Sequence, residues 1–158
     1  MITRRELAAT AAALRNPEEL VRALTFQQPW AASVAWHFKD VENRSWPAPH
    51  TDVLTLVHAA KTVDRAAMRQ VPSDTPGLDV RGAVVAVTRV TGCHRNTRCQ
   101  GQCTPWAMPE ARWHWELSGT LPLAEPVPVA GAQRMWIPGT ELRTRVATAL
   151  NQRAGEAR

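Results

Sequence analysis

The sequence predicts an α+β domain in which short helices are inserted between the strands of a small curled sheet or barrel. Three observations point there. Residues 82–90, GAVVAVTRV, are an apolar, β-branched run of strand length, the pattern of a strand buried on both faces. Shorter segments at 40–46, 52–60 and 112–117 read as strands, whose side chains alternate between two faces with a period of two. The helical signals are short and several lie toward the two ends, too few long elements for a helix bundle.

Taken in order, Thr3 with Glu6 three residues later fits a capping box that opens a helix running to about Leu14. Asn16-Pro17 repeats a start signal, an N-cap followed by proline at the first helical position, and predicts a short helix to about Arg22. Residues 23–27 read as a strand. Pro29 starts a helix to about Phe38 that is apolar on most sides (Trp30, Ala31, Val34, Ala35, Phe38) and is expected to be largely buried. The strand at 40–46, ended by Pro47 and Pro49, places Glu42, Arg44 and Trp46 on one face and Val41, Asn43 and Ser45 on the other. The strand at 52–60 puts Leu54, Leu56 and His58 together; a short helix at 64–70 and a loop at 72–77 follow. After 82–90, residues 91–109 read as irregular and polar, and 112–117 returns to a strand pattern with Trp113 and Trp115 on one face. A Pro-rich corner leads to a last strand within 127–136, and a helix at 140–153 aligns Leu142, Val146, Ala149 and Leu150 on one stripe.

At 158 residues the chain is expected to be built around one core domain. Its net charge of +5, carried by seventeen Arg against two Lys, favours polyanionic partners. No apolar run approaches the roughly 20 residues of a membrane span, so no membrane partner is expected. The N-terminal stretch contains Glu6 and returns at once to polar residues, a helix rather than a signal peptide, and the expected location is cytoplasmic. Three cysteines without a secretion signal argue against a disulfide framework. Phosphate-loop, dinucleotide-glycine, zinc-protease and nucleophile-elbow motifs do not occur.

Residues 26–46, FQQPWAASVAWHFKDVENRSW, concentrate chemistry that no helix or strand needs for itself. Lys39 is a candidate nucleophile, general base or phosphate contact; an ordinary amine near pKa 10.4 is a poor base, and burial or a neighbouring cation would lower it. Trp36, Phe38 and Trp46 would supply the burial and Arg44 the cation, while Glu42 opposes both. Glu42 reads as a proton shuttle or acceptor and Arg44 as an anion clamp, or the two as an ordinary ion pair. Asn43 and Gln28 offer the amide donors and acceptors that suit a base edge, or structural hydrogen bonds. Trp30, Trp46 and Trp136 could stack on a base, Trp46 foremost; Trp36, Trp106, Trp113 and Trp115 are assigned to packing or loop cover. His58 and Lys61 stand at the end of the 52–60 strand, His58 as a satisfied core group or a pocket residue. Cys93, His94, Cys99 and Cys103 are ligand types zinc prefers, but the C-x5-C-x3-C spacing matches no standard finger, and neighbouring Cys-His rarely serve one ion. Reduced thiols, no metal and no cofactor are therefore the expectation.

Gln28-Pro29-Trp30, the run Lys39-Asp40-Val41-Glu42-Asn43-Arg44-Ser45-Trp46 and the strand Leu56-Val57-His58-Ala59-Ala60-Lys61 resemble, in order, motifs of the ASCH domain, a branch of the PUA-like superfamily. Residues 82–90 resemble its central strand, and Trp113-His114-Trp115 with residues 131–136 its C-terminal segment. The resemblance spans about residues 23–137, with 1–22 and 138–158 as flanking helical extensions. It implies a small PUA-like β-barrel or curled sheet with a cleft beside the 39–46 segment, and relatives that bind RNA or modified nucleosides. Some relatives are reported to hydrolyse acylated cytidines, with a threonine where this chain has Glu42. Where the family usually has glycine, two residues before the lysine, this chain has His37. The expected function is an RNA or modified-nucleotide recognition module. Arg44 and Lys61 would contact phosphate, Trp46 would stack, and Asn43 with Gln28 would read base edges. The alternatives are a small hydrolase acting on acylated, cytidine-type nucleosides or on RNA, centred on Lys39 and Glu42, and a protein-interaction adaptor.

Overall fold

A computed structural model describes residues 2–156. Six strands form one mixed sheet: β1 (Val21–Gln28), β2 (Val41–Arg44), β3 (Val53–Val63), β4 (Ala83–Arg95), β5 (Trp113–Pro128) and β6 (Met135–Trp136). Their order is β2-β5-β4-β3-β1-β6, so the sheet has two edges and is not closed into a barrel. Only the β1–β3 pair is parallel; the other neighbours run antiparallel. The helices are α1 (Arg4–Arg15), α2 (Trp30–Trp36), α3 (Arg65–Met68) and α4 (Thr140–Glu156). None of them is long and apolar enough to cross a membrane.

The strand period divides the core between the two faces of the sheet. On β1, Val21 and Ala23 join one cluster and Leu24 and Phe26 the other. The first cluster packs Leu7, Ala11 and Leu14 of α1 and Val146 and Leu150 of α4 against Leu56, Val84 and Leu121. The second packs Ala31 and Val34 of α2 against Val57, Val85 and Trp115. The terminal helices thus share one face and α2 lies on the opposite one. Thr3 and Glu6 make both reciprocal bonds of the capping box that opens α1. Arg143 of α4 closes the other end of α1, donating to Leu14 O at 2.8 Å and Asn16 O at 2.5 Å.

Three expected elements differ. The helix expected at 16–22 is absent: Asn16 is the C-cap of α1, its side chain accepts Glu18 N at 3.1 Å, and β1 begins at Val21. Burying Val21 in the sheet outweighs one marginal helical turn. The helix expected to reach Phe38 ends at Trp36, because Phe38 turns left-handed (φ 56°) and points to solvent, 91% exposed. The strand expected at 112–117 does not stop at a Pro-rich corner: β5 runs unbroken past Pro122 and Pro126 to Pro128, and the last strand expected within 127–136 is the two-residue β6. The register shift at Val84/Ala86 leaves residues 123–126, Pro126 among them, outside the ladder, where a proline need not donate.

Candidate ligand-recognition site

The signature segment becomes edge strand β2, paired only with β5, and this pairing decides what each residue meets. Glu42 lies opposite Trp115, Asn43 opposite His114 and Arg44 opposite Trp113. Lys39, Glu42 and Arg44 come together as one ion triad. Lys39 Nζ stands 3.3 Å from Glu42 Oε2, and Arg44 Nε stands 2.9 Å from Glu42 Oε1. Lys39 also donates to Val41 O and stands 5.7 Å over the Trp30 ring. Arg44 donates to Thr25 O at 3.1 Å and has its guanidinium 5.8 Å from Phe26 and 6.0 Å from Trp115.

The triad is largely dehydrated: side-chain exposure is 2% for Lys39, 11% for Glu42 and 22% for Arg44. Burial lowers the Lys39 pKa, opposed by the charge and hydrogen bond of Glu42. The burial comes from Trp30 and the surrounding sheet; the expected contribution of Phe38 is missing because that ring faces water. Two cations on one carboxylate leave the cluster with net charge +1 when all three are ionised. Arg44, the most exposed member, spends one N–H on Thr25; its Nε stands 2.9 Å from Glu42 Oε1 without a hydrogen bond to it, leaving further donors of its five uncommitted.

The two amides are already occupied. Gln28 is fully buried; its Nε2 donates to Gly77 O at 2.9 Å and Val80 O at 3.2 Å, and its Oε1 accepts Ala32 N at 3.1 Å. It thereby holds the first turn of α2 to the 77–80 loop. Asn43 donates to Trp106 O at 2.9 Å and accepts Met108 N at 2.8 Å, which pins the 96–112 loop onto β2.

His58 is buried, with Nε2 donating to Val129 O at 3.0 Å and Nδ1 3.3 Å from the Thr25 hydroxyl. Burial lowers its pKa, the Val129 bond opposing. Trp136 donates from Nε1 to the same hydroxyl at 3.2 Å, and Thr25 donates to Ala132 O at 3.0 Å. Thr25, which the sequence reading passes over, therefore links Arg44, His58 and Trp136. Its only sequence signal is its place within β1, two residues before Gln27. Gly131 lies so close to His58 that a Cβ there would stand 2.4 Å from Cε1. Trp46 packs edge-on against Trp115, centroids 4.6 Å apart, and its carbonyl accepts Trp115 Nε1. Lys61 stands apart and exposed on β3 beside Gly82.

Two concavities flank the triad. A cleft of about 350 Å3 is lined by Lys39, Asp40, Trp36, Leu117 and Arg153, among others. A narrower slot of about 230 Å3 lies between Trp30 and His37 on one side and Pro105, Trp106 and Met108 on the other. His37 thus lines the slot, anchored by Nε2 to the Thr75 hydroxyl at 2.7 Å. Trp106 lines it too, beyond the loop cover assigned to it. The slot meets the triad through Trp30, which Lys39 overlies, and through the loop that Asn43 holds.

A second polar cluster forms behind Asn43. His94, Cys99, Cys103 and His114 bring one ligand atom each to within 4.8 Å of one another. Cys93, the residue the sequence groups with them, points elsewhere and accepts Ala48 N at 3.3 Å. His114 takes its place, brought in by strand pairing and not by sequence spacing. Burial raises the Cys99 thiol pKa, but hydrogen bonds with His94, Cys103, the Gly101 backbone and His114 outweigh it and bring it to about 6. Cys103 is pushed up by burial and by Cys99.

A mixed sheet with α2 inserted after the first strand and helices flanking it is an α+β arrangement with an ASCH-like fold. Among solved structures, the chain is similar to the ASCH protein from Zymomonas mobilis, at 12% identity and a TM-score of 0.55. That likeness covers 80% of this chain and 94% of that one. A serine-to-alanine mutant of the same protein matches at 11% identity and a TM-score of 0.54, over 84% and 99% of the two chains. No family model and no curated protein matches the sequence.

Proposed function

We propose that this protein is a recognition module for single-stranded RNA or a modified nucleotide, bound where the ion triad meets the tryptophan slot. The carrying observation is the Lys39–Glu42–Arg44 triad, a nearly dry cluster with one positive charge in excess. Charge held in that setting is costly unless paired, and a phosphate or an acceptor-rich base edge would relieve it. Arg44 offers the donors, and exposed Lys61 adds a second cation for a chain that continues past the site. The slot of about 230 Å3 is smaller than the roughly 300–1,000 Å3 of a typical ligand pocket, a size suited to one planar base. Trp30 and Trp106 supply its aromatic faces, and stacking is worth about 1–3 kcal/mol per base. Trp46 and Trp136 border the site from Trp115 and Thr25. Because the Gln28 and Asn43 amides are spent on the backbone, we assign them to positioning, and leave base contact to Arg44 and the slot.

The test is fluorescence polarisation with a short labelled RNA and with competing nucleosides at low salt. Affinity should fall at least tenfold in Arg44→Ala and in Trp30→Ala, and should weaken steeply as salt rises. Affinity absent at low salt, or unchanged in the Arg44→Ala/Trp46→Ala double variant and in Trp30→Ala, would exclude the proposal.

One observation favours a second reading, hydrolysis of an acylated cytidine: Lys39 has a lowered pKa and lines the cleft of about 350 Å3. Against it, the amine is engaged by Val41 O and Glu42, so its lone pair is free only after that ion pair opens. Mass spectrometry of cytidine acetylated on its exocyclic amine, incubated with wild type and Lys39→Ala, separates the two. Turnover lost in the variant supports the enzyme; no turnover in either supports recognition.

A further inference from the structure

The loop joining β4 to β5, residues 96–112, is long for a domain of this size and holds no helix or strand beyond a 3-10 turn at Asn96–Arg98. None of its seventeen residues is buried, so it contributes no side chain to the core. Loops of that length without their own structure are uncommon in compact domains unless something ties them down. Asn43 supplies two hydrogen bonds at Trp106 and Met108. The remaining tie lies at the base of the hairpin.

There, His94 and His114 are cross-strand partners in register, so both rings project from one face of the sheet. Their planes are nearly perpendicular, 84° apart, with centroids at 5.5 Å. The loop returns two thiols to them through a tight turn in which Gln100 and Gly101 are both left-handed. Gly101 is required, since a Cβ would stand 2.7 Å from Pro109 Cα. Cys99 Sγ comes 3.3 Å from His94 Nε2 and 3.1 Å from His114 Nδ1, and Cys103 Sγ 3.5 Å from His114 Nδ1. Ligand atoms around a tetrahedral zinc ion with normal bond lengths stand about 3.3–3.8 Å apart. These three separations lie close to that spacing and all four atoms lie within 4.8 Å of one another, so a small adjustment would close them on one ion; two thiols with two imidazoles are a common structural zinc set.

A separate observation concerns the far side of each ring. His94 Nδ1 lies 2.8 Å from Glu116 Oε1, and His114 Nε2 lies 3.0 Å from Met108 O. The carbonyl can only accept, and an ionised carboxylate likewise, so both of these nitrogens carry hydrogen. The neutral tautomers then place their lone pairs on His94 Nε2 and His114 Nδ1, the two nitrogens that face the thiols. A carboxylate and a carbonyl behind the rings are the outer contacts that orient histidine ligands.

We propose that His94, Cys99, Cys103 and His114 bind a zinc ion in a closed, four-coordinate structural site that fixes the β4–β5 loop. The spacing His94-x4-Cys99-x3-Cys103-x10-His114 spans a hairpin, which is why it resembles no finger motif. Through Asn43, the same loop carries Trp106 and Met108, so the ion would set one wall of the slot.

Metal analysis of wild-type protein, purified reduced and without chelators or added metal, should find about one zinc ion per chain. Cys103→Ser and His114→Gln should lose it, while Cys93→Ser keeps it. Glu116→Gln should retain the site with roughly 10–100-fold weaker zinc affinity. Chelation of the wild type should lower its melting temperature, and zinc should restore it. Titration of stripped, reduced wild type with Co2+ gives a readout that no variant's folding can confound: thiolate-to-cobalt charge transfer with tetrahedral ligand-field bands is expected. Wild type that purifies without zinc and shows no such spectrum would overturn the proposal, as would full zinc retention in a folded Cys99→Ser/Cys103→Ser double variant.

Discussion

Glu42 holds two cations that would otherwise repel each other in a dry pocket, and much of the local chemistry follows from that one carboxylate. Its conversion to amide in Glu42→Gln leaves Lys39 and Arg44 facing each other uncompensated. Losing one partner of a buried pair costs about 3–5 kcal/mol, so urea unfolding should show a loss near the lower end, with Arg44 partly exposed. Lys39 itself makes stability depend on pH. Its folded pKa lies below the ordinary 10.5, so the unfolded chain holds that proton to higher pH. The contribution is complete above 10.5 and is lost as pH falls through the folded value. Urea midpoints should therefore rise with alkaline pH, and Lys39→Met should flatten the rise. His58 follows the same sign at a lower pH: its folded pKa lies below 6.5, so stability is full above 6.5 and declines as pH falls through the folded value. His58→Gln, whose amide can still donate toward Val129, should reduce that acid-side decline in thermal melts across the same range.

At the scale of elements, β2 is four residues long and would be a weak edge by itself. Pairing with β5 on one side and the Asn43 amide on the other locks it under the loop. Asn43→Ala strands the Met108 amide and the Trp106 carbonyl, a cost of about 1–3 kcal/mol. Hydrogen exchange should accelerate at Met108 well before it does in β4. Gly101→Ala tests the turn beneath it, because the residue has φ of 72° and no room for a Cβ. The variant should lose more than about 1 kcal/mol, read from its melting temperature. The sequence shows β2 plainly, through its alternation and its signature residues. It does not show that Asn43 faces a loop sixty residues away, since that contact exists only once β2 has docked on β5.

For the whole molecule, α1 and α4 are part of the main core and not appendages: Leu7, Leu14, Val146 and Leu150 lie at or below 1% exposure in one cluster with the sheet. Leu150→Ala, near the end of the chain, should cost about 2–5 kcal/mol in urea unfolding, as for a central core position. A smaller loss would mean that α4 frays from the sheet. The stripe on α4 and the capping box on α1 are visible in the sequence because helical periodicity and capping are local properties. Which face of the sheet the helices cover is not local.

What the sequence determined alone is what short-range physics encodes: the buried 82–90 strand, the α1 cap, the α4 stripe, and a signature segment rich in stacking and charged groups. Tertiary structure decided the rest. It joined Lys39, Glu42 and Arg44 into one triad, spent the Gln28 and Asn43 amides on the backbone, and opened a slot between Trp30 and Trp106. It also exchanged Cys93 for His114 in the cysteine cluster. Each of these depends on strand register and loop return, where residues far apart in sequence meet because one pairing slipped by a single position would turn every side chain to the opposite face.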